Sequence, residues 1–282
     1  MKKNPLSKFL REVSKCHRLV SFPLTKFLCK KYLNDSKFHR YMMKKDGLKW
    51  FETVSHIPET VMRVMPPDCF KEIEPQKLFT LFYRMNYWES PESASGPGSS
   101  MNESQTIRSQ IPELVKKYSW KKFVDIPCGD WNWMSTVDLG VEHYFGGDIV
   151  SDIIENNTKK YGNSHRVFQV INLTESPLPS GDVLLCRDCL VHLSYEHIGK
   201  FLCQLHDSGI RYLLSTTFTS RNSNSDIITG HWRAINLEKE PFNFPSPLEI
   251  IIENSSERTG KDVDKSLALW KVRDLPKQLN LK

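Results

Sequence analysis

Polar groups recur where apolar, strand-like runs of this sequence end. They are Asp125 to Asp130 in FVDIPCGDWNWM, Asp148 in HYFGGDIV, Asn172 in VFQVINLT, and Arg187 with Asp188 in DVLLCRD, followed by His192 in CLVHLS. A glycine after a first strand, here Gly129, lets the backbone approach a ligand closely. An acid after a second strand, here Asp148, can accept from both hydroxyls of a ribose. Together they describe a nucleoside-like ligand. The turn holds neither the GxGxxG of a dinucleotide site nor the GxxxxGKS of a phosphate cradle, and Asp130 would repel a pyrophosphate. A cationic ligand suits it better. In the fourth cluster, His192 titrates near neutrality and a neighbouring carboxylate can orient it. His192 is the candidate general base with Asp188 as its orienter, or Asp188 serves as base directly.

Such residues converge only if the strands that carry them lie side by side. QTIRSQIPELVKKY reads as a helix, KFVDI and HYFGGDIV as strands, SDIIENNTKKYG as a helix and VFQVINLT as a strand. DVLLCRD follows as a strand, SYEHIGKFLCQLHDSG as a helix with Ser194 as its N-cap, and RYLLSTTF as a strand. Strands separated by single helices make βαβ units, hence a mostly parallel, Rossmann-like sheet with helices on both faces. PLEIIIENS and KSLALWKVRD should close it as a terminal antiparallel hairpin, making seven strands. In open sheets of this kind ligands bind beyond the carboxyl ends of the strands.

Outside this region the chain changes character. Fourteen of its 39 Lys and Arg, but three of its 33 Asp and Glu, lie in the first fifty residues, leaving 25 against 30 in the other 232. The basic charge belongs to an N-terminal extension, expected to be helical over residues 1–78, with two amphipathic stretches on either side of Pro23. It reads as a helical arm with a solvated face, or as a peripheral contact with an anionic membrane or polyanion. Lysines and an arginine interrupt any candidate apolar core of a secretory signal. No apolar run reaches the roughly 18 residues a membrane span needs. Seven cysteines, an odd number, several of them in apolar segments, read as free thiols of a reducing, cytoplasmic compartment. Cys186 and Cys189 form a CxxC with no partner pair at zinc spacing, so no metal is expected.

Residues 90–100 are rich in Ser, Pro and Gly, yet aromatics at 82, 83, 87 and 88 precede them. An ordered loop over about 88–104, closing on the site, is expected at the start of a 79–282 domain. A second long loop, DIITGHWRAINLEKEPFNFPSP, offers Trp232, Phe242 and Phe244 as stacking walls for a sugar ring, with Arg233 and Asn236 as polar contacts.

An adenosine carrying a sulfonium and an ammonium group, S-adenosylmethionine, combines the features the strand ends ask for. The order of those residues and the terminal hairpin resemble the class I S-adenosylmethionine-dependent methyltransferases over about residues 103–275. NYWESPESASGPGSS, FVDIPCGDWNWM, CRDCLVHLS and FNFPSPLEIIIE are similar to a subgroup associated with glycan and polysaccharide biosynthesis. The resemblance implies that Asp125 and Gly129 line the methionine end of the cofactor, that Asp148 holds the ribose, and that Asn172 and Leu173 meet the adenine. It extends the cofactor-facing set to Pro127, Cys128, Asp130, Trp131, Ile149 and Arg187, and to Trp88, Ser95, Gly96 and Ser99 of the covering loop. Arg187 could instead anchor an acidic group of the substrate. The implied activity is O-methylation of a sugar hydroxyl; methylation of another small molecule, or a non-catalytic nucleoside-binding role in glycan assembly, stand as alternatives. A nucleotide-dependent oxidoreductase is disfavoured by the missing fingerprint. Nucleic acid is a poor acceptor for an acidic body without an NPPY-type motif.

Overall fold

The computed structural model describes residues 71, 73–84, 86–256, 260 and 262–281. The chain divides into two units, Met1–Glu74 and Pro75–Lys282. The elements below lie in the second, and the basic arm falls outside the described residues. Among these residues, no helix is long and apolar enough to cross a membrane.

Seven strands form one sheet: β1 (Lys122–Asp125), β2 (His143–Asp148), β3 (Arg166–Val170), β4 (Val183–Cys186), β5 (Tyr212–Phe218), β6 (Glu249–Ile252) and β7 (Lys265–Lys271). Their order is β3-β2-β1-β4-β5-β7-β6. β1 to β5 pair in parallel, whereas β7 runs antiparallel to both β5 and β6. This is the expected Rossmann-like sheet with its terminal hairpin, and β7 is the strand inserted beside β5. The direction of winding reverses between β1 and β4, which makes their carboxyl ends the switch point where a crevice opens.

Among the described residues, four α-helices accompany the sheet: α1 (Pro75–Arg84), α2 (Gln105–Tyr118), α3 (Ser151–Tyr161) and α4 (Tyr195–Asp207). Apolar spacing decides which face each one buries. In α2, Ile107, Ile111, Leu114 and Val115 fall on one stripe and are buried, and in α4 Ile198, Phe201, Leu202 and Leu205 do the same. The α2 stripe joins Phe123, Val183, Leu185, Leu267 and Leu269 on one side of the sheet. The α4 stripe joins Val124, Leu184, Leu213 and Trp270 on the other. Every residue of β4 is buried, as expected of a strand covered on both faces. Ser194 caps α4 as its sequence position predicts, its hydroxyl accepting from the His197 N–H at 3.3 Å.

Candidate active site at the strand ends

The turn after β1 leans on the end of β2. Cys128 N–H donates to the Gly147 carbonyl at 2.8 Å, and Gly129 N–H donates to Asp148 Oδ2 at 3.1 Å. Asp148 Oδ1 accepts from the Val150 N–H at 2.9 Å. The Asp148 carboxylate, on which the Ile149 N–H also acts, keeps acceptor capacity beyond these backbone donors. Beneath the turn, the buried amide of Asn157 on α3 donates to the Gly129 carbonyl at 2.8 Å. Asp125 and Asp148 are both buried, at 3% and 5% exposure. Burial pushes the Asp148 carboxyl up to about 6 and the Asp125 carboxyl up to about 7; the Asp148 charge adds to the rise at Asp125, and the Asp130 charge adds to the rise at Asp148. Arg187, beyond β4, pulls the other way on Asp125, and burial outweighs it.

The 88–104 segment is ordered and closes on this turn. Asp130 is its anchor rather than an open ligand group. Its carboxylate accepts from Ser93 Oγ at 2.8 Å, the Ala94 N–H at 2.8 Å and Ser95 Oγ at 3.2 Å, while its own N–H donates to Ser95 Oγ at 2.9 Å. Asn132 adds a bond to the Ser99 carbonyl at 3.2 Å. Gly129, at φ 53°, is needed for this closure, because a β-carbon there would collide with the Ser95 hydroxyl. The space that the sequence assigns to ligand approach is taken at this point by the loop. Gly96, at φ 99°, lies under Trp88, which leans on His192 with ring centroids 5.8 Å apart. Pro127 and Ile149 are half-buried beside the two acids, and the Ile149 carbonyl accepts from Gln76 Nε2 of α1 at 3.1 Å.

Beyond β4, Arg187 is engaged by the protein's own groups. Its guanidinium is buried and grips Glu253 at 2.6 Å and the Gly98 carbonyl at 2.9 Å, tying the covering loop to the end of β6. Asp188 adopts φ 51°, a left-handed conformation costly for a residue with a β-carbon. Three neighbours hold it there: Thr216 Oγ1 accepts its N–H at 2.8 Å, Lys265 Nζ pairs with Oδ2 at 2.7 Å, and Arg187 lies at 3.2 Å. Burial works against its charge, but Lys265 and Arg187 outweigh it and hold the carboxyl down to about 2. His192 Nδ1 lies 2.9 Å from the His231 carbonyl. A carbonyl only accepts, so Nδ1 carries the proton and Nε2 of the neutral ring keeps its lone pair. Burial lowers the pKa of His192 from its ordinary value.

Glu253, with a fully buried side chain, stands between two buried cations, Arg187 at 2.6 Å and Lys265 at 3.8 Å. Glu253→Ala would leave the two buried cations sharing Asp188 and is expected to lower stability by about 3–5 kcal/mol, read as a fall in thermal unfolding temperature.

Several expectations change. Phe242 and Phe244 are in the core at 0% and 4% exposure, edge-on to Tyr195 and Trp270, so neither offers a stacking wall. Arg233 is buried and donates to the Leu190 and Leu193 carbonyls at 2.7 Å each, bracing the loop that carries His192. Asn236 is buried and bonds the Thr219 and Arg221 carbonyls. The Asn172 side-chain oxygen accepts from the Thr174 N–H and hydroxyl, closing its own turn, and Leu173 packs in the core. Cys128 is buried behind its turn. Trp232 remains, 37% exposed, over Phe218 at the end of β5. The structure thus gathers Asp125, Gly129, Asp148, Asp188, His192 and Trp88 along one rim of the sheet. The sequence reading missed Asn157, Tyr144, Glu253 and Lys265.

No protein-family model matches the chain, and no curated protein matches it. Solved structures are similar to parts of the chain. The methyltransferase domain of bacterial CtHen1-C is 16% identical with TM-score 0.37, covering 41% of this chain and 66% of that one; this chain spans just under two thirds of its length. The N-methyltransferase NodS from Bradyrhizobium japonicum is 12% identical with TM-score 0.45, covering 62% and 98%. The 1,6-didemethyltoxoflavin-N1-methyltransferase of Burkholderia thailandensis, solved with bound 1,6-didemethyltoxoflavin and S-adenosylhomocysteine, is 13% identical with TM-score 0.44, covering 62% and 81%.

Proposed function

We propose that this chain is an S-adenosylmethionine-dependent methyltransferase that methylates a sugar hydroxyl in a glycan or polysaccharide. One observation carries the cofactor reading. Asp125 and Asp148 form a buried acid pair at the switch point that burial drives toward the neutral form despite the pull of Arg187 on Asp125, and the Asp148 carboxylate has acceptor capacity beyond its backbone donors. A ribose diol and a positively charged group satisfy those two needs together. Bound S-adenosylmethionine would supply a methyl group on a positively charged sulfur.

The chain's own residues would do the rest. Asp148 binds the ribose, and Asp125 faces the charged end. His192 Nε2 takes the proton of the acceptor hydroxyl, since Nδ1 is committed to the His231 carbonyl. Asp188, held at about 2, is a weak proton acceptor, so its part is to receive a hydrogen bond from the acceptor and favour the imidazolium as it forms. The covering loop, fastened through Asp130 and Arg187, keeps water out. Trp88 and the exposed Trp232 supply ring faces of the kind that pack on sugars. The permanently charged Asp188 also suits an amino acceptor, which is the second reading.

The test is methyl transfer from labelled S-adenosylmethionine to a panel of free sugars, oligosaccharides and small amines. Label in a sugar supports the proposal. Label only in amines moves the acceptor to the second reading, and cofactor binding without transfer to any acceptor would leave the nucleoside-binding scaffold.

A further inference from the structure

The turn after β1 contains a residue that its backbone disfavours. Trp131 sits at φ 57°, in the left-handed region, where a side chain with a β-carbon is strained. Its indole is nonetheless buried, with ring centroids 4.7 Å from Tyr161, 5.5 Å from Tyr144 and 5.6 Å from Phe168. Nε1 donates to the Tyr144 hydroxyl at 2.6 Å, and that hydroxyl lies 2.5 Å from Asp125 Oδ2.

The sense of this chain of bonds is settled by chemistry. An indole N–H can only donate, so the Tyr144 oxygen accepts there and its single proton points at Asp125. A donor aimed at a carboxyl favours the charged form. It acts against burial, which is the larger influence and pushes Asp125 up, and against Asp148 of β2, which pushes the same way; Arg187, after β4, pulls with Tyr144. The thiols of Cys128 and Cys186 also face Asp125, and burial keeps both protonated well above their ordinary range.

We infer that Tyr144, oriented by Trp131, is a positioning residue that keeps Asp125 ready to ionise against a cation, so that the site separates a charged adenosine ligand from its neutral counterpart in a proton-linked way. The ligand in this statement rests on the function proposed above; the relay does not. S-adenosylmethionine carries a sulfonium where S-adenosylhomocysteine has a neutral thioether. Near neutral pH, taking up the sulfonium releases the Asp125 proton to solvent.

Calorimetry with both compounds across pH 6 to 9, on the full chain and Tyr144→Phe, reads this out. In the unsubstituted protein the ratio of S-adenosylmethionine to S-adenosylhomocysteine affinity is expected to rise about tenfold with pH, the change for a sulfonium that lowers the Asp125 pKa by roughly one unit. In Tyr144→Phe the rise should move up by about one pH unit, with S-adenosylhomocysteine binding at pH 9 showing that the fold is intact. Trp131→Phe should move it in the same direction. A ratio that does not change with pH, or one that Tyr144→Phe leaves in place, overturns the inference while leaving the methyltransferase reading standing. If neither compound binds, that reading fails, and the relay is judged on its own. The carboxyl-carbon NMR signal of Asp125, assigned with Asp125→Asn, should titrate at higher pH in Tyr144→Phe. An unmoved midpoint overturns the relay whatever the ligand.

Discussion

Asp148→Ala should raise the dissociation constant for S-adenosylmethionine by more than about a hundredfold, corresponding to roughly 3 kcal/mol for two hydrogen bonds to a charged group. The size of the effect follows from the double duty of this carboxylate. It offers the acceptor capacity on which the ribose reading depends, and it also gathers the Gly129 and Val150 N–H groups that hold the first turn against β2. Asp148→Asn keeps one acceptor oxygen and should lose less, about tenfold. Calorimetry checks both, with the thermal unfolding profile reporting whether the sheet is intact. Affinity equal to that of the unsubstituted protein in Asp148→Ala would remove the ribose assignment.

His192→Ala should leave cofactor affinity within about twofold and slow methyl transfer by about 10²- to 10⁴-fold, the usual contribution of a positioned general base. The pH dependence carries the sign. Because burial lowers the pKa of His192, the ring stays a neutral base somewhat below the ordinary value near 6.5, and activity falls only as pH drops through that lowered value. His192→Ala should lose this acid limb. Asp188 adds no limb near neutrality, since its carboxyl is held down at about 2. With S-adenosylmethionine saturating at each pH, so that the Asp125 linkage to binding does not enter, an acid limb that survives in His192→Ala would assign the proton transfer elsewhere.

The sheet and the rim that carries the acids could be read from the chain because both depend on local patterns. Apolar strand runs separated by amphipathic helices imply parallel neighbours, and Asp125, Asp148 and Asp188 stand at their ends by position alone. What could not be read are partnerships across long separations. Arg187 looked available for a ligand because nothing near it in sequence announces Glu253, 66 residues away. Asp130 looked like a ligand group because Ser93 and Ala94 reach it from 37 and 36 residues before. The aromatics of the 226–247 loop show a different limit. Phe242, Phe244 and Trp232 are chemically alike in the sequence, and only packing against Tyr195, Trp270 and Phe218 separates two core residues from one exposed ring. Two signals were present. A tyrosine in the buried strand HYFGGD and a lysine opening the buried strand KSLALWK are polar ends placed in apolar runs, and each requires a partner. Those partners are Asp125 and Asp188.

Calorimetric titration of the intact chain with S-adenosylmethionine and, in parallel, with NAD near pH 8 addresses the cofactor proposal at its root. A saturable site for S-adenosylmethionine, one per chain and in the micromolar range usual for enzyme ligands, is predicted, with no heat from NAD. Absence of binding by S-adenosylmethionine, or equal binding of NAD, would contradict the assignment of this acidic rim to a positively charged adenosine cofactor.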